Sequence, residues 1–194
     1  MKLNKTALAV SLIAGASFAN ANDIKYGLQL GYANGGDTID EDLDSEAGDG
    51  MLTGIYALVP IFTEEFYIKV AANYIKTDDS FKDTSNDYNS ELSRMPIDLL
   101  LVKKIENIQL AAGMTYHINT KYKTIDKMDI EGNRTTNAKN SFGLILEANY
   151  QAYSNNVIAA GLGLRYTNID YKFKDEYSTK FDGSSIAFTA NLSF

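Results

Sequence analysis

Residues 185–194 read Ser185-Ile186-Ala187-Phe188-Thr189-Ala190-Asn191-Leu192-Ser193-Phe194. Ile186, Phe188, Ala190, Leu192 and Phe194 are apolar at every second position, and the residues between them are small or polar. Successive side chains of a strand point to opposite faces, so a period of two predicts a strand with one apolar and one wetted face. A strand this hydrophobic is expected to close something, and the expectation is the last stave of a barrel in a membrane.

Working back from it, seven further segments of ten or more residues follow, six of them alternating in the same way and one less cleanly, the signal of tilted membrane-spanning strands. Ile24–Asn34 sets Tyr26, Leu28, Leu30 and Tyr32 against Lys25, Gly27, Gln29 and Gly31. Phe66–Lys76 sets Ile68, Val70, Ala72 and Tyr74 against Lys69, Ala71 and Asn73, and Glu91–Lys104 sets Met95, Ile97, Leu99 and Leu101 against Arg94 and Asp98. Ile108–Tyr122 places Gln109, Gly113, Thr115, His117 and Asn119 on its polar face; Ala138–Ala152 and Val157–Phe173 place Glu147 and Arg165 on theirs. Gly50–Phe62 is apolar on both parities and contains Pro60, so its outward face is left open.

The connectors alternate in length. Thr63–Glu65, Ile105–Asn107 and Tyr153–Asn156 are short, whereas Gly35–Asp49, Thr77–Ser90, Lys123–Asn137 and Lys174–Ser184 are long and polar. Short turns at one end and long loops at the other define an up-and-down barrel. In hydrocarbon no backbone group can be left unpaired, so Ser185–Phe194 is expected to pair with Ile24–Asn34.

The first residues suggest export. Met1–Lys5 is basic, Thr6–Phe18 is an uncharged apolar run, and Ala19-Asn20-Ala21 has the small-x-small form of a cleavage site, so residues 1–21 read as a signal peptide and 22–194 as one barrel domain. No stretch supplies the roughly 18 consecutive apolar residues of a membrane-spanning helix. The 194 residues contain no cysteine, which removes disulfides and lipid attachment at the cleavage site. The net charge of −7 becomes more acidic once Lys2 and Lys5 are removed, which argues against nucleic acid as a partner.

These eight segments, the sorted loops and the aromatic Phe194 preceded by alternating apolar residues resemble the small eight-stranded outer-membrane barrels of Gram-negative bacteria. That porin-family group includes the OmpA transmembrane domain, OmpX and the opacity surface proteins. The resemblance implies an all-β antiparallel transmembrane barrel in the outer membrane, with short periplasmic turns and extracellular loops. It also implies a non-enzymatic part in envelope integrity and surface interaction or adhesion, with no cofactor. The implied partners are outer-membrane lipid and lipopolysaccharide, the barrel-assembly machinery reading Phe188, Leu192 and Phe194, and an extracellular ligand or host surface. A narrow pore and a lipid-modifying enzyme are the alternatives.

Lys69, Arg94, Asp98, Glu147 and Arg165 have inward parity. Eight strands enclose little more than side chains, so charges of both signs there are expected to form an ion network. Gly27, Gly31, Gly113, Gly143, Gly161 and Gly163 share that face and leave room for them. His117, the only histidine, also has inward parity and lacks a neighbouring serine, unlike the His and Ser of the barrel-type lipid A deacylases. Asp40-x-Asp42-x-Asp44 begins like a calcium loop, but Ser45 replaces its glycine and Met51 stands where the bidentate Glu belongs, leaving a weak metal candidate. Lys121, Lys123, Lys127, Arg134 and Lys139 mark the third loop as a place to meet lipopolysaccharide phosphates.

Overall fold

The computed structural model describes residues 24–40, 45–61, 63–82, 87–126, 134–155, 157–174 and 180–194. The signal-peptide segment, two of the loop aspartates, Asp42 and Asp44, and Lys127 of the third loop lie outside them. The strands are β1 (Lys25–Asn34), β2 (Thr38–Asp40), β3 (Ser45–Glu46), β4 (Gly50–Ile61), β5 (Thr63–Lys82), β6 (Asp87–Ile105), β7 (Ile108–Asp126), β8 (Arg134–Asn137), β9 (Ser141–Ser154), β10 (Ala159–Lys172), β11 (Lys180–Asp182) and β12 (Ser185–Ser193).

Eight of them form a closed antiparallel ring in the order β1, β4, β5, β6, β7, β9, β10, β12. The seam lies where the alternation places it: β12 pairs with β1 from Asn34↔Ile186 to Gly27↔Ser193. Two further backbone bonds extend the seam, Tyr26 N–H to Phe194 O at 3.0 Å and Phe194 N–H to Tyr26 O at 2.8 Å. With no free edge in the ring, each of these eight strands finds two neighbours, which is the condition for crossing hydrocarbon.

The side chains are sorted inside out relative to a soluble protein. Phe188 is 72% exposed and Leu162 64%, whereas Asp98 is 0% and Arg165 1% exposed. Aromatic residues collect near both rims, with Tyr150, Tyr153 and Phe194 at the turn end and Tyr32, Phe142 and Tyr166 at the loop end, all of them exposed. Amphipathic rings suit the two membrane interfaces. The ambiguous β4 resolves here: Met51 and Ile55 face outward, while Leu52, Tyr56 and Leu58 are buried in the lumen. Tyr56 and Leu58 join a turn-side apolar cluster with Ala71, Leu100, Val102, Ala111 and Ile145.

The loops depart from the sequence reading. Thr77–Ser90 is largely a hairpin and not an open loop, because β5 and β6 continue as a ladder from Thr77↔Leu92 to Lys82↔Asp87. Similarly, β8 pairs back onto β7, and β11 onto β10. A ladder that stands in water needs no apolar face, so hydropathy alternation stops before the pairing does. Asn119 also corrects its parity. It has φ of 53°, and the pairs Met95↔Ile118 and Ser93↔Lys121 leave Asn119 and Thr120 opposite Arg94 alone. This bulge turns Asn119 outward and Thr120 inward, because an extra residue on one strand shifts everything beyond it by one position.

Candidate functional site

The lumen is built from inward positions of five neighbouring strands. Register places Arg165 of β10 directly opposite Glu147 of β9, and Asp98 of β6 opposite Thr115 of β7. Lys69 comes from β5, two positions from Ala71, which is opposite Asp98. The charged ends then meet in the middle. Lys69 Nζ lies 2.6 Å from Glu147 Oε2. Arg165 Nη1 lies 2.8 Å from Asp98 Oδ2 and 3.2 Å from Glu147 Oε1.

Neutral donors and acceptors complete the shell. Asn73 Nδ2 and Thr115 Oγ1 donate to the two oxygens of Asp98 at 2.7 and 2.6 Å, and Lys69 donates to Gln29 Oε1 at 3.1 Å. Lys69 Nζ also lies 4.8 Å from the Tyr56 ring centroid. Two cations and two carboxylates therefore neutralise one another where single buried charges would be strongly disfavoured. The gap beside Lys69 at the turn end, lined by Tyr56, Gln109, Asn149 and Asn191, measures about 30 Å³, close to the share of one water.

Four of the five expected residues come together, and the fifth stands apart. Arg94 is buried nearer the loop end, where its guanidinium donates to three successive carbonyls of the first loop: Ala47 at 2.7 Å, Gly48, and Asp49 at 2.9 Å. Those carbonyls are there because the first loop folds into the barrel mouth. Ala47 is fully buried against Ala138, Ile169, Tyr171 and Phe173. Gly48 N–H bonds Gly35 O at 2.7 Å, and a Cβ at Gly48 would collide with the carbonyl oxygens of Gly35 and Ser184. Asp37 ties the same loop to the fourth: its N–H donates to Asp182 O at 2.7 Å, and its Oδ2 accepts from Asp182 N–H at 2.8 Å. Ser184, by hydrogen bonding to Asp182, holds that exposed carboxyl below the usual carboxylate range. Sequence parity found Arg94 but not its loop partner, since nothing in Ala47-Gly48-Asp49 marks a segment that folds inward.

His117 is buried beneath this seat, with Nδ1 2.6 Å from the Tyr171 hydroxyl. Its ring faces the lumen and not the lipid-facing wall. No group of three or more His, Cys, Asp or Glu residues positioned to hold a metal occurs among the described residues. Of the Asp40-x-Asp42-x-Asp44 candidate only the backbone of Asp40, in β2, is described. Phe188, Leu192 and Phe194 share the outer face of β12, all exposed.

A closed eight-stranded antiparallel ring with an apolar exterior and a charged, filled interior is the outer-membrane β-barrel fold. The likeness to solved structures agrees. The chain is similar to the crystal structure of Neisserial surface protein A, NspA, with a TM-score of 0.53 and 15% identity over 88% of this chain and 96% of that one. It also matches Ail, the attachment invasion locus protein of Yersinia pestis, solved in complex with the heparin analogue sucrose octasulfate, at a TM-score of 0.48 and 12% identity over 88% of this chain and 96% of that one. A major outer membrane protein from Thermus thermophilus matches at a TM-score of 0.46 and 12% identity, over 88% of this chain and 98% of that one. No protein-family model matches the sequence, and no curated protein matches it. At 15% identity the likeness to NspA is one of fold.

Proposed function

We propose that the protein is a non-enzymatic outer-membrane barrel, exported with a cleaved signal peptide, that strengthens the envelope and presents its loop end for surface contact or adhesion. The observation that carries this reading is the filled lumen beneath an apolar wall. The Lys69, Glu147, Arg165 and Asp98 quartet crosses the interior, and the first loop, held by Arg94, sits above it. A channel needs a continuous wet path, and here side chains paired at hydrogen-bond distance occupy it. A lipid-modifying enzyme needs its nucleophile and base on the outer wall, where lipid is, and His117 is bonded to Tyr171 inside. Function in this fold then belongs to the loops and their strand extensions, which differ in length and charge around the mouth.

Planar-bilayer recording on the refolded protein tests the reading. The expected result is no stable unit current. Unit currents that disappear when Arg165→Gln is introduced would establish the narrow pore in its place. Incubation with lipopolysaccharide followed by lipid analysis tests the enzymatic alternative, and unchanged lipid is expected.

A further inference from the structure

We propose that Lys121, Lys139, Lys172 and Lys174, on the outer wall at the loop end, form a binding surface for the phosphorylated headgroup of an outer-leaflet glycolipid such as lipopolysaccharide. The inference rests on the membrane placement proposed above and names a partner for one side of the rim.

Pairing brings the four together from three neighbouring segments. Lys121 of β7 is opposite Asn137 of β8. Ala138 is bridged to Phe173, with Lys174 N–H bonded to Asn137 O at 2.9 Å and Lys139 N–H to Lys172 O at 2.8 Å. This register makes Lys121, Asn137 and Lys174 one row across the wall and sets Lys139 directly opposite Lys172. Residues directly opposite have Cβ atoms about 5 Å apart, and adjacent strands are about 4.8 Å apart, so the four amines share a patch about 10 Å across. All four side chains are exposed, while the alternate residues Ala138, Tyr171 and Phe173 are buried inside.

Two like charges directly opposite in a ladder repel. Neighbouring lysines of the rim are neutralised: Lys76 pairs with Asp78 at 3.0 Å and Glu91 at 3.3 Å, and Lys180 of β11, itself directly opposite Lys172 on the far side of β10, is taken up by Asp170 at 2.8 Å. Among the described residues no carboxylate pairs with any of the four, although the chain as a whole carries a net charge of −7. Lys123 sits at the margin, opposite Glu91. Arg134 has the opposite parity and faces the mouth.

The height of the patch favours a lipid headgroup. Directly below it Tyr116 and Phe142 stack with centroids 4.5 Å apart, and Asn140 Nδ2 donates to the Tyr116 hydroxyl at 3.1 Å. Interfacial aromatic rings mark the edge of the hydrocarbon. Lys139 is level with Lys172, and Phe142 directly precedes Gly143, the partner of Ile169, so Lys139 stands roughly 7 Å above Phe142 along β10, which sets its amine among headgroups and not in bulk water. Lysine is a compact donor suited to phosphate, and a phosphate between Lys139 and Lys172 would turn their repulsion into two charge-assisted hydrogen bonds.

The test refolds the full chain in detergent micelles and measures binding of labelled lipopolysaccharide. Phosphatase-treated lipopolysaccharide, phosphatidylcholine vesicles and inorganic phosphate serve as separate arms. Binding of intact lipopolysaccharide is expected to weaken about tenfold or more in Lys121→Gln/Lys139→Gln/Lys172→Gln and on phosphatase treatment. It should be unchanged in Lys103→Gln/Lys104→Gln at the turn end. Lys139→Glu supplies a second measurement: it should raise stability without glycolipid, by pairing with Lys172, yet reduce binding. Equal binding by the triple variant, or full competition by inorganic phosphate at matched phosphate concentration, overturns the proposal. Failure of the chain to refold in micelles would instead overturn the membrane reading.

Discussion

Arg165 and Glu147 face each other across the β9–β10 ladder, and the Arg165 Nη1 that lies 3.2 Å from Glu147 Oε1 also lies 2.8 Å from Asp98 Oδ2. One guanidinium nitrogen thus ties three strands together, since Asp98 belongs to β6. Removing one member of a buried ion group strands its partners without compensation, at a cost of about 3–5 kcal/mol. Glu147→Ala is therefore expected to lower the urea midpoint strongly. Lys69→Met combined with Glu147→Gln should cost less than Glu147→Ala, because it removes charges of both signs. Equilibrium unfolding in detergent, arranged as a double-mutant cycle, reads the coupling. Additive effects would mean that the quartet does not act as a unit.

The barrel and its quartet were legible in the sequence for the same reason. A membrane strand must alternate, so hydropathy reports both the lipid face and the lumen face, and Lys69, Asp98, Glu147 and Arg165 all fell on the inward parity. Seam pairing followed from the need to satisfy every backbone group. What alternation missed was structure that lipid does not constrain. In the β5–β6 hairpin above the membrane the run Thr77-Asp78-Asp79-Ser80 is polar on both parities, and the first loop enters the mouth through Ala47 and Gly48, residues too small to announce burial. Asn119 was misplaced because one residue in a left-handed conformation reverses parity without changing the pattern of residue types around it.

Arg94 offers a separable test of the loop seat. Its guanidinium makes three hydrogen bonds to the first loop, and a charge-assisted bond of this kind contributes about 1.5–3 kcal/mol. Arg94→Met keeps the apolar stem and removes all three. Cleavage after Glu46 by a glutamate-specific protease should then accelerate by about tenfold or more, while the heat-modifiable gel shift of the barrel is retained. Unchanged cleavage would show that the loop is held by its other contacts. Because the quartet lies below, the released loop should not by itself create a current.

At Asn119 the backbone has φ of 53°, a conformation that costs a β-branched residue about 1–2 kcal/mol and glycine nothing. Asn119→Val should destabilise the barrel by about that amount, and Asn119→Gly should be nearly neutral. Thermal unfolding in detergent distinguishes them. Equal stability of the two variants would mean that the bulge opposite Arg94 has moved or closed.

At Phe194 folding and assembly in cells can be tested apart. Its backbone makes two hydrogen bonds with Tyr26 at the seam, at 3.0 and 2.8 Å, while its ring is 57% exposed on the outer wall beside the row of Phe188 and Leu192. Phe194→Ser leaves the backbone bonds in place and deletes only the ring. If the ring contributes only lipid contact, refolding into detergent and insertion in cells should fall together and slightly. If the assembly machinery reads Phe188, Leu192 and Phe194 as a set, refolding in vitro should be nearly unchanged while the amount of protein assembled in the outer membrane drops several-fold. The second outcome is expected, because a single interfacial ring is a small part of an apolar wall that eight strands already supply. Equal assembly in cells of the wild-type protein and the variant would reduce Phe194 to one more aromatic residue of the turn-end girdle.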